Sequence, residues 1–74
     1  MLDWRWQLFQ ALDKLTEKYR EALVMCHLHK ADGRAIAARL ALAEPEVEPL
    51  LARARQALRE VLPPALADDL GWFD

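Results

Sequence analysis

Residues 32–62 decide the fold of this chain, and they read DGRAIAARLALAEPEVEPLLARARQALREVL. Asp32 is a good helix cap, and the apolar residues Ile36 and Leu40 follow it at helical spacing, which predicts a short helix over residues 33–40. After a short turn, apolar residues recur at helical spacing to the end of the stretch, which predicts a second, longer helix. Two helices joined by a short turn, with apolar positions facing inward, form a helix-turn-helix unit.

The start of the second helix has two interpretations, because Pro45 and Pro49 stand four residues apart. Proline fits the first turn of a helix but costs about 3 kcal/mol in a helix interior. In the first interpretation, Pro45 opens the helix and Pro49 lies at the end of its first turn. In the second, the helix begins at Pro49 and is about one turn shorter.

Two further helices are predicted upstream. Asp3 can cap a first helix that runs to about Leu15. Thr16 can cap a second helix that runs from Glu17 to about His29. The chain holds 14 Leu and 13 Ala but only five β-branched residues, which favours helices over sheets. The predicted fold is therefore all-α, a small four-helix bundle that contains the helix-turn-helix.

This bundle is predicted to form a single domain over residues 1–62, and Pro63-Pro64 ends its last helix. Residues 63–74 form an acidic, hydrophobic tail. The tail either folds back over the core or serves as a short linear motif for a partner. The expected core consists of Leu8, Leu12, Leu15, Leu23, Leu28, Ile36, Leu40, Val47, Leu51 and Leu58.

The first helix is rich in aromatic residues. Trp4 and Leu8 belong to one apolar face at helical spacing, and Trp6 and Phe9 lie beside that face and widen it. A wide buried stripe is the favoured interpretation of these side chains. An exposed docking surface is the alternative, because exposed aromatic patches commonly mark interfaces.

Composition excludes several functional classes. The chain has no Ser and no Asn, so it offers no serine nucleophile. Gly33 and Gly71 lie too far apart for a glycine-rich phosphate loop, and the one cysteine, Cys26, forms no internal disulfide. No apolar run approaches the roughly 18 residues of a membrane span, and the charged N-terminus is unlike a signal peptide. These features predict a cytoplasmic helical protein that has no cofactor and is not an enzyme.

A metal centre is also disfavoured. Cys26 and His29 lie three residues apart on one predicted helix, which could bring two metal ligands together. A structural zinc site needs four ligands, which the cysteine and histidines do not supply, so a half-buried cysteine and surface histidines are expected. The paired acids Asp68 and Asp69 lie in the tail, which is a poor place to hold catalytic geometry.

The net charge of −2 is unevenly distributed. Charges cancel over residues 1–33, and residues 34–43 add two arginines. Residues 44–62 hold four glutamates against three arginines, and residues 63–74 hold three aspartates and no base. A nucleic-acid-binding domain usually shows a basic excess on one face, so the overall balance argues against one.

Three segments carry a resemblance to a known family: LTEKYREAL over residues 15–23, IAARL over residues 36–40 and LARARQALRE over residues 51–60. They resemble region four of sigma factors, most closely that of the extracytoplasmic-function group, over about residues 15–62. The resemblance implies a cytoplasmic bacterial or phage transcription protein. It implies that the last helix reads promoter DNA, that the domain docks on the flap of the RNA polymerase β subunit, and that anti-sigma factors bind it.

The sequence departs from this family at the start of the recognition helix. The family usually carries small or hydroxyl-bearing residues and then basic ones there, whereas this chain has Glu44, Glu46, Glu48, Pro49 and Leu50. These positions reach base edges, and three carboxylates there are repelled by the DNA phosphates. Ala41 replaces the usual glycine of the turn. The promoter-opening domain that precedes region four has no counterpart, so we expect that the chain, if complete, is not a full sigma factor.

Three hypotheses follow. The first is modulation of transcription by docking on RNA polymerase, a sigma factor or an anti-sigma factor, with candidate residues Glu44, Glu46, Glu48, Trp6, Phe9, Trp72 and Phe73. The second is a DNA-binding regulator that contacts promoter DNA through residues 44–59, with candidate residues Arg34, Arg39, Arg53, Arg55 and Arg59. The third is a structural bundle, including a homodimer, without a transcription role. The acidic recognition turn favours the first, and a solvated face is the favoured interpretation of the arginines.

Overall fold

The computed structural model describes residues 4–73, and all regular elements in that range are helical. In chain order they are α1 (Trp4–Asp13), α2 (Glu17–Leu23) with a π-helical continuation (Val24–Leu28), α3 (Gly33–Leu40), a 3-10 turn (Glu44–Glu46), α4 (Val47–Val61) and α5 (Pro64–Leu70). The all-α class and the helix-turn-helix, formed by α3 and α4, are confirmed. Helix α5 is an addition to the four helices that the pattern predicts.

Two of the three predicted caps, Thr16 and Asp32, define the starts of α2 and α3, and the third, Asp3, lies outside the described residues. The Thr16 hydroxyl accepts a long hydrogen bond from the Tyr19 backbone N–H at 3.5 Å. The Asp32 carboxylate accepts from the Ala35 N–H at 2.9 Å. Each side chain satisfies one of the first-turn donors that have no partner inside the helix.

The second predicted helix is interrupted by a π-helical turn, Val24–Leu28, that the apolar pattern does not reveal. Here the His29 N–H donates to the Val24 carbonyl, five residues back, at 3.1 Å. A π turn holds more residues than an α turn, so the side chains after Val24 are rotated relative to an ideal α-helix. Leu28, at the end of this turn, is 43% exposed, so its predicted place in the core is wrong.

The start of α4 is close to the first of the two proline interpretations. Pro45 lies in the 3-10 turn, and Pro49 is the third residue of α4. The first N–H groups of a helix have no intrahelical partner, so the missing N–H of Pro49 removes no hydrogen bond. The 3-10 turn is closed by the Glu46 N–H, which donates to the Ala43 carbonyl at 2.9 Å.

The core lies where α2 packs against α4, which is the most extensive helix pair of the described chain. Seven predicted core residues are buried: Leu8, Leu12, Leu23, Ile36, Val47, Leu51 and Leu58. Leu15 and Leu40 are partly buried and pack against them. Beyond residue 62, Leu66 and Ala67 of α5 also belong to the core, so α5 folds back onto the bundle.

Candidate interaction surfaces

The acidic residues at the start of the recognition helix are exposed to solvent. Glu44 and Glu46 lie in the 3-10 turn and Glu48 in the first turn of α4, and all three are exposed. Carboxylates near a helix N-terminus are stabilised by the positive end of the helix dipole. The helix therefore tolerates these charges without a paired base, and they remain available to a partner.

The turn before them has a backbone shape that glycine usually provides. Ala41 has a φ of 57°, in the left-handed region, and its N–H donates to the Ala37 carbonyl. The Leu42 N–H donates to the same carbonyl at 2.9 Å. This is the usual geometry of a helix C-terminus that ends on glycine, here adopted by alanine at a steric cost.

Helix α3 carries two of the candidate arginines. Arg34 lies in its first turn and is exposed. Arg39 lies in its last turn and forms an ion pair with Glu21 of α2, with 3.2 Å between Nη2 and Oε1. This pair is largely solvated, so it ties α3 to α2 with at most modest stabilisation.

Arg55 of α4 points toward the π-helical turn rather than away from the protein. Its Nε donates to Nε2 of His27 at 3.3 Å, and its Nη2 lies 3.8 Å from Sγ of Cys26. Burial, and then the charges of Arg55 and Lys30, lower the pKa of His27 to about 4. His27 is thus a neutral hydrogen-bond acceptor near neutral pH.

The two C-terminal aromatic residues rest on this same side of the molecule. The Trp72 ring stacks on His27 with 4.3 Å between centroids and 7° between planes. The Arg59 guanidinium lies over the Phe73 ring, 5.7 Å from its centroid. Both aromatic side chains are half-buried. The prediction of surface histidines is therefore wrong for His27, because the returning tail covers it.

Arg53 lies on a different side of α4. It is exposed and lines a groove between α2 and the start of α4 together with Tyr19 and Pro49. Glu46 and Lys18 line the same groove, so the charge around Arg53 is mixed. The five candidate arginines do not converge on one basic face.

The aromatic residues of α1 are exposed. Trp4, Trp6 and Phe9 are 51%, 58% and 50% exposed, so the favoured interpretation of a wide buried stripe is wrong. The buried positions of α1 are Leu8, Ala11 and Leu12. Trp4 lines an apolar groove with Leu28, Leu66, Leu70 and Trp72.

Sequence reasoning missed the role of His27, which links the tail to the recognition helix. The signal in the sequence was the pair Trp72 and Phe73 near the C-terminus, because terminal aromatic residues commonly fold back onto the core. Over residues 4–73, no group of three or more Cys, His, Asp or Glu side chains could hold a metal ion. None of the helices in the described part of the chain is long and apolar enough to cross a membrane.

Comparison with known proteins agrees with this architecture. A family model, sigma-70 region 4, matches residues 5–58, which contain α1 except its first residue, all of α2 and α3, and most of α4. Searches of curated proteins and of solved structures found no match. The matched residues make up well over half of the chain, and they include α3 and the whole turn between α3 and α4. The chain belongs to the sigma-70 region 4 family, and it is a transcription-related helix-turn-helix protein.

Proposed function

We propose that this protein modulates transcription by docking on a protein of the transcription machinery rather than by reading DNA. RNA polymerase is the first partner to test, and a sigma factor or an anti-sigma factor are the others that the family implies. The protein would act in the cytoplasm, where these partners are, and without catalysis. We also infer, from the resemblance of residues 15–62, that the chain is most similar to the extracytoplasmic-function group of sigma factors.

One observation carries the proposal: the end of α4 that would enter DNA carries exposed acids. Residues at the N-terminal end of a recognition helix contact base edges, and here Glu44, Glu46 and Glu48 are exposed at that end. A glutamate can accept a hydrogen bond from cytosine. Three of them near a backbone with one charge per about 1.7 Å are repelled on balance.

The arginines that could offset this repulsion are mostly engaged within the chain. Arg39 is paired with Glu21, Arg55 donates to His27, and Arg59 lies over Phe73. DNA would have to compete with these contacts. A protein surface with basic residues would instead meet the acidic turn directly, and complementary charge speeds and orients such association.

Exposed aromatics on α1 supply an apolar component for such an interface. Trp6 and Phe9 lie three residues apart and are therefore neighbours on the helix surface. Both are half or more exposed, and aromatic residues are enriched among those that dominate binding energy at interfaces. Trp72 and Phe73 are half-buried against His27 and Arg59, so a partner would reach only their outer edges.

DNA reading remains the second candidate function, and family membership favours it. Its available residues are Arg34 and Arg53, which are exposed. The two functions predict different effects of a charge reversal at the acidic turn on binding affinity. Protein docking would be weakened by it, whereas DNA affinity would rise because phosphate repulsion is removed.

The test measures binding of a fluorescently labelled chain to purified bacterial RNA polymerase and, separately, to random-sequence duplex DNA. Glu46→Lys/Glu48→Lys is expected to weaken polymerase binding by about tenfold and to strengthen duplex binding. Glu17→Lys/Glu60→Lys is the matched control, since it changes the net charge equally at exposed positions elsewhere. Equal polymerase affinity for the two double variants would contradict the proposal.

A further inference from the structure

We propose that the C-terminal segment, residues 71–73, is an autoinhibitory cover on α4 that keeps duplex nucleic acid off the recognition helix. Displacing it would open a site for the phosphate backbone, formed by Arg55 and Arg59. This inference goes beyond protein docking and does not depend on it.

Phe73 lies on the side of α4 that a helix-turn-helix protein turns toward DNA. It borders a shallow depression together with Ala52, Gln56 and Arg59, and these three residues of α4 are exposed. A recognition helix enters the major groove with its outward face. The Phe73 ring and a DNA duplex would therefore occupy the same space.

Arg59 lies beside both the C-terminal segment and α5. Its guanidinium lies over the Phe73 ring, and it also borders a depression with Asp68 of α5. A phosphate contact would require the guanidinium to leave the ring, and it would place the phosphate near a carboxylate. Phe73 of the segment therefore reduces access to Arg59, and Asp68 of α5 weakens the attraction of Arg59 for an anion.

Arg55 is held indirectly, through the ring on which Trp72 stacks. The indole lies parallel to His27 at 4.3 Å, and His27 accepts the hydrogen bond from Arg55 Nε at 3.3 Å. With Trp72 in place, the imidazole is fixed and Arg55 stays turned toward the π-helical turn. Loss of the stack would free the imidazole and let the guanidinium swing outward.

The segment follows directly on α5, which is anchored in the core, and the aspartates that flank the segment oppose DNA. Leu66 and Ala67 of α5 are buried in the core, and Gly71 reverses the chain with a φ of 69°. Residues 63–74 carry three aspartates and no base. The family match ends at residue 58, so the cover lies outside the matched part.

The test compares variants of the 74-residue chain for binding to random-sequence duplex DNA by fluorescence anisotropy between about 50 and 200 mM NaCl. Trp72→Ala/Phe73→Ala is expected to bind about tenfold more tightly than the wild type at the lowest salt. Its log–log salt slope should be steeper by about two, because each neutralised phosphate contributes about 0.9 to the slope. Adding Arg55→Gln/Arg59→Gln to this variant should abolish the gain.

Two further variants test whether a gain in DNA affinity comes from removing the aromatic side chains of the C-terminal segment. Trp6→Ala/Phe9→Ala removes the same kinds of side chain from α1 and should leave DNA affinity unchanged. Phe73→Ala alone leaves the stacked Trp72 in place and should give a smaller gain, which covers the case in which the double variant fails to fold. Unchanged DNA affinity in folded Phe73→Ala and in the double variant would overturn the proposal, whatever the outcome of the polymerase measurement.

Discussion

His27 and Arg55 connect the π-helical turn to the recognition helix through one hydrogen bond, 3.3 Å from Arg55 Nε to His27 Nε2. The imidazole can accept this bond only when Nε2 is unprotonated. Its other partner is the Trp72 ring, which stacks on it. One histidine thus joins three parts of the chain: α4, the turn after α2, and the C-terminal segment.

This arrangement predicts that the protein loses stability as the pH falls from about 6.5 to about 4. The folded-state pKa of His27, about 4, is lower than the ordinary value of 6.5, so the unfolded chain takes up the proton first. The stability that neutral His27 contributes is fully present above pH 6.5 and is lost as the pH approaches 4. A shift of this size corresponds to roughly 3 kcal/mol for a fully buried group, which we reduce to about 1 kcal/mol because His27 is partly exposed.

Urea unfolding at about pH 7 and about pH 4 measures this loss, and His27→Gln supplies the comparison. All other pH-dependent contributions are common to both proteins and cancel in this comparison. The difference in unfolding free energy between the two pH values should be smaller in His27→Gln by about 1 kcal/mol. The same pH dependence in both proteins would show that His27 is not held neutral by its surroundings.

Ala41→Gly is expected to stabilise the protein by about 0.5–1 kcal/mol. Ala41 has a φ of 57°, and glycine adopts this region without the Cβ clash that alanine suffers. Ala38→Gly is the control, because Ala38 is exposed within α3. This variant should have an unfolding free energy about 0.5–1 kcal/mol lower than the wild type. Thermal and urea unfolding measure both changes. A destabilised Ala41→Gly protein would mean that the turn does not have this backbone shape.

Pro49→Ala is expected to change the unfolding free energy by well under the ~3 kcal/mol that an interior proline costs. Pro49 lies in the first turn of α4, where no intrahelical hydrogen bond is lost. Ala52→Pro is the matched change one turn later and should cost about 3 kcal/mol or more. A large gain in stability from Pro49→Ala would place the start of the helix earlier than α4 begins in the structure.

Leu23→Ala and Leu28→Ala separate a core position from an exposed one on either side of the π-helical turn. Leu23 is fully buried, whereas Leu28 is largely exposed. Truncating a buried leucine costs about 2–5 kcal/mol, and we expect less than about 1 kcal/mol at an exposed position. Similar losses at both positions in urea unfolding would mean that Leu28 is buried in the core, contrary to the structure.

Much of this fold is predictable because its local signals agree with its packing. Thr16 and Asp32 are cap residues in sequence and in structure. The apolar spacing of Ile36, Leu51 and Leu58 also places them correctly in the core. Such agreement between local preference and tertiary contacts is what makes a pattern informative.

The remaining features depend on contacts that spacing does not encode. The π turn at Val24–Leu28 changes the register without any proline or glycine to mark it. The exposure of Trp6 and Phe9 follows from how few helices surround α1, which depends on the tertiary arrangement. The covering of His27 by Trp72 requires the chain to return from α5, so no pattern near residue 27 could reveal it.

The most direct test of the central claim is to measure, by fluorescence anisotropy, how the binding of the wild-type chain to a random-sequence duplex depends on salt concentration. With exposed acids at the start of α4 and Arg39, Arg55 and Arg59 engaged within the chain, we predict little binding even at about 50 mM salt. Tight binding by the wild type, with a log–log slope that requires several released counterions, would contradict the account. Such a slope would show that this helix-turn-helix engages the DNA backbone despite its acidic turn.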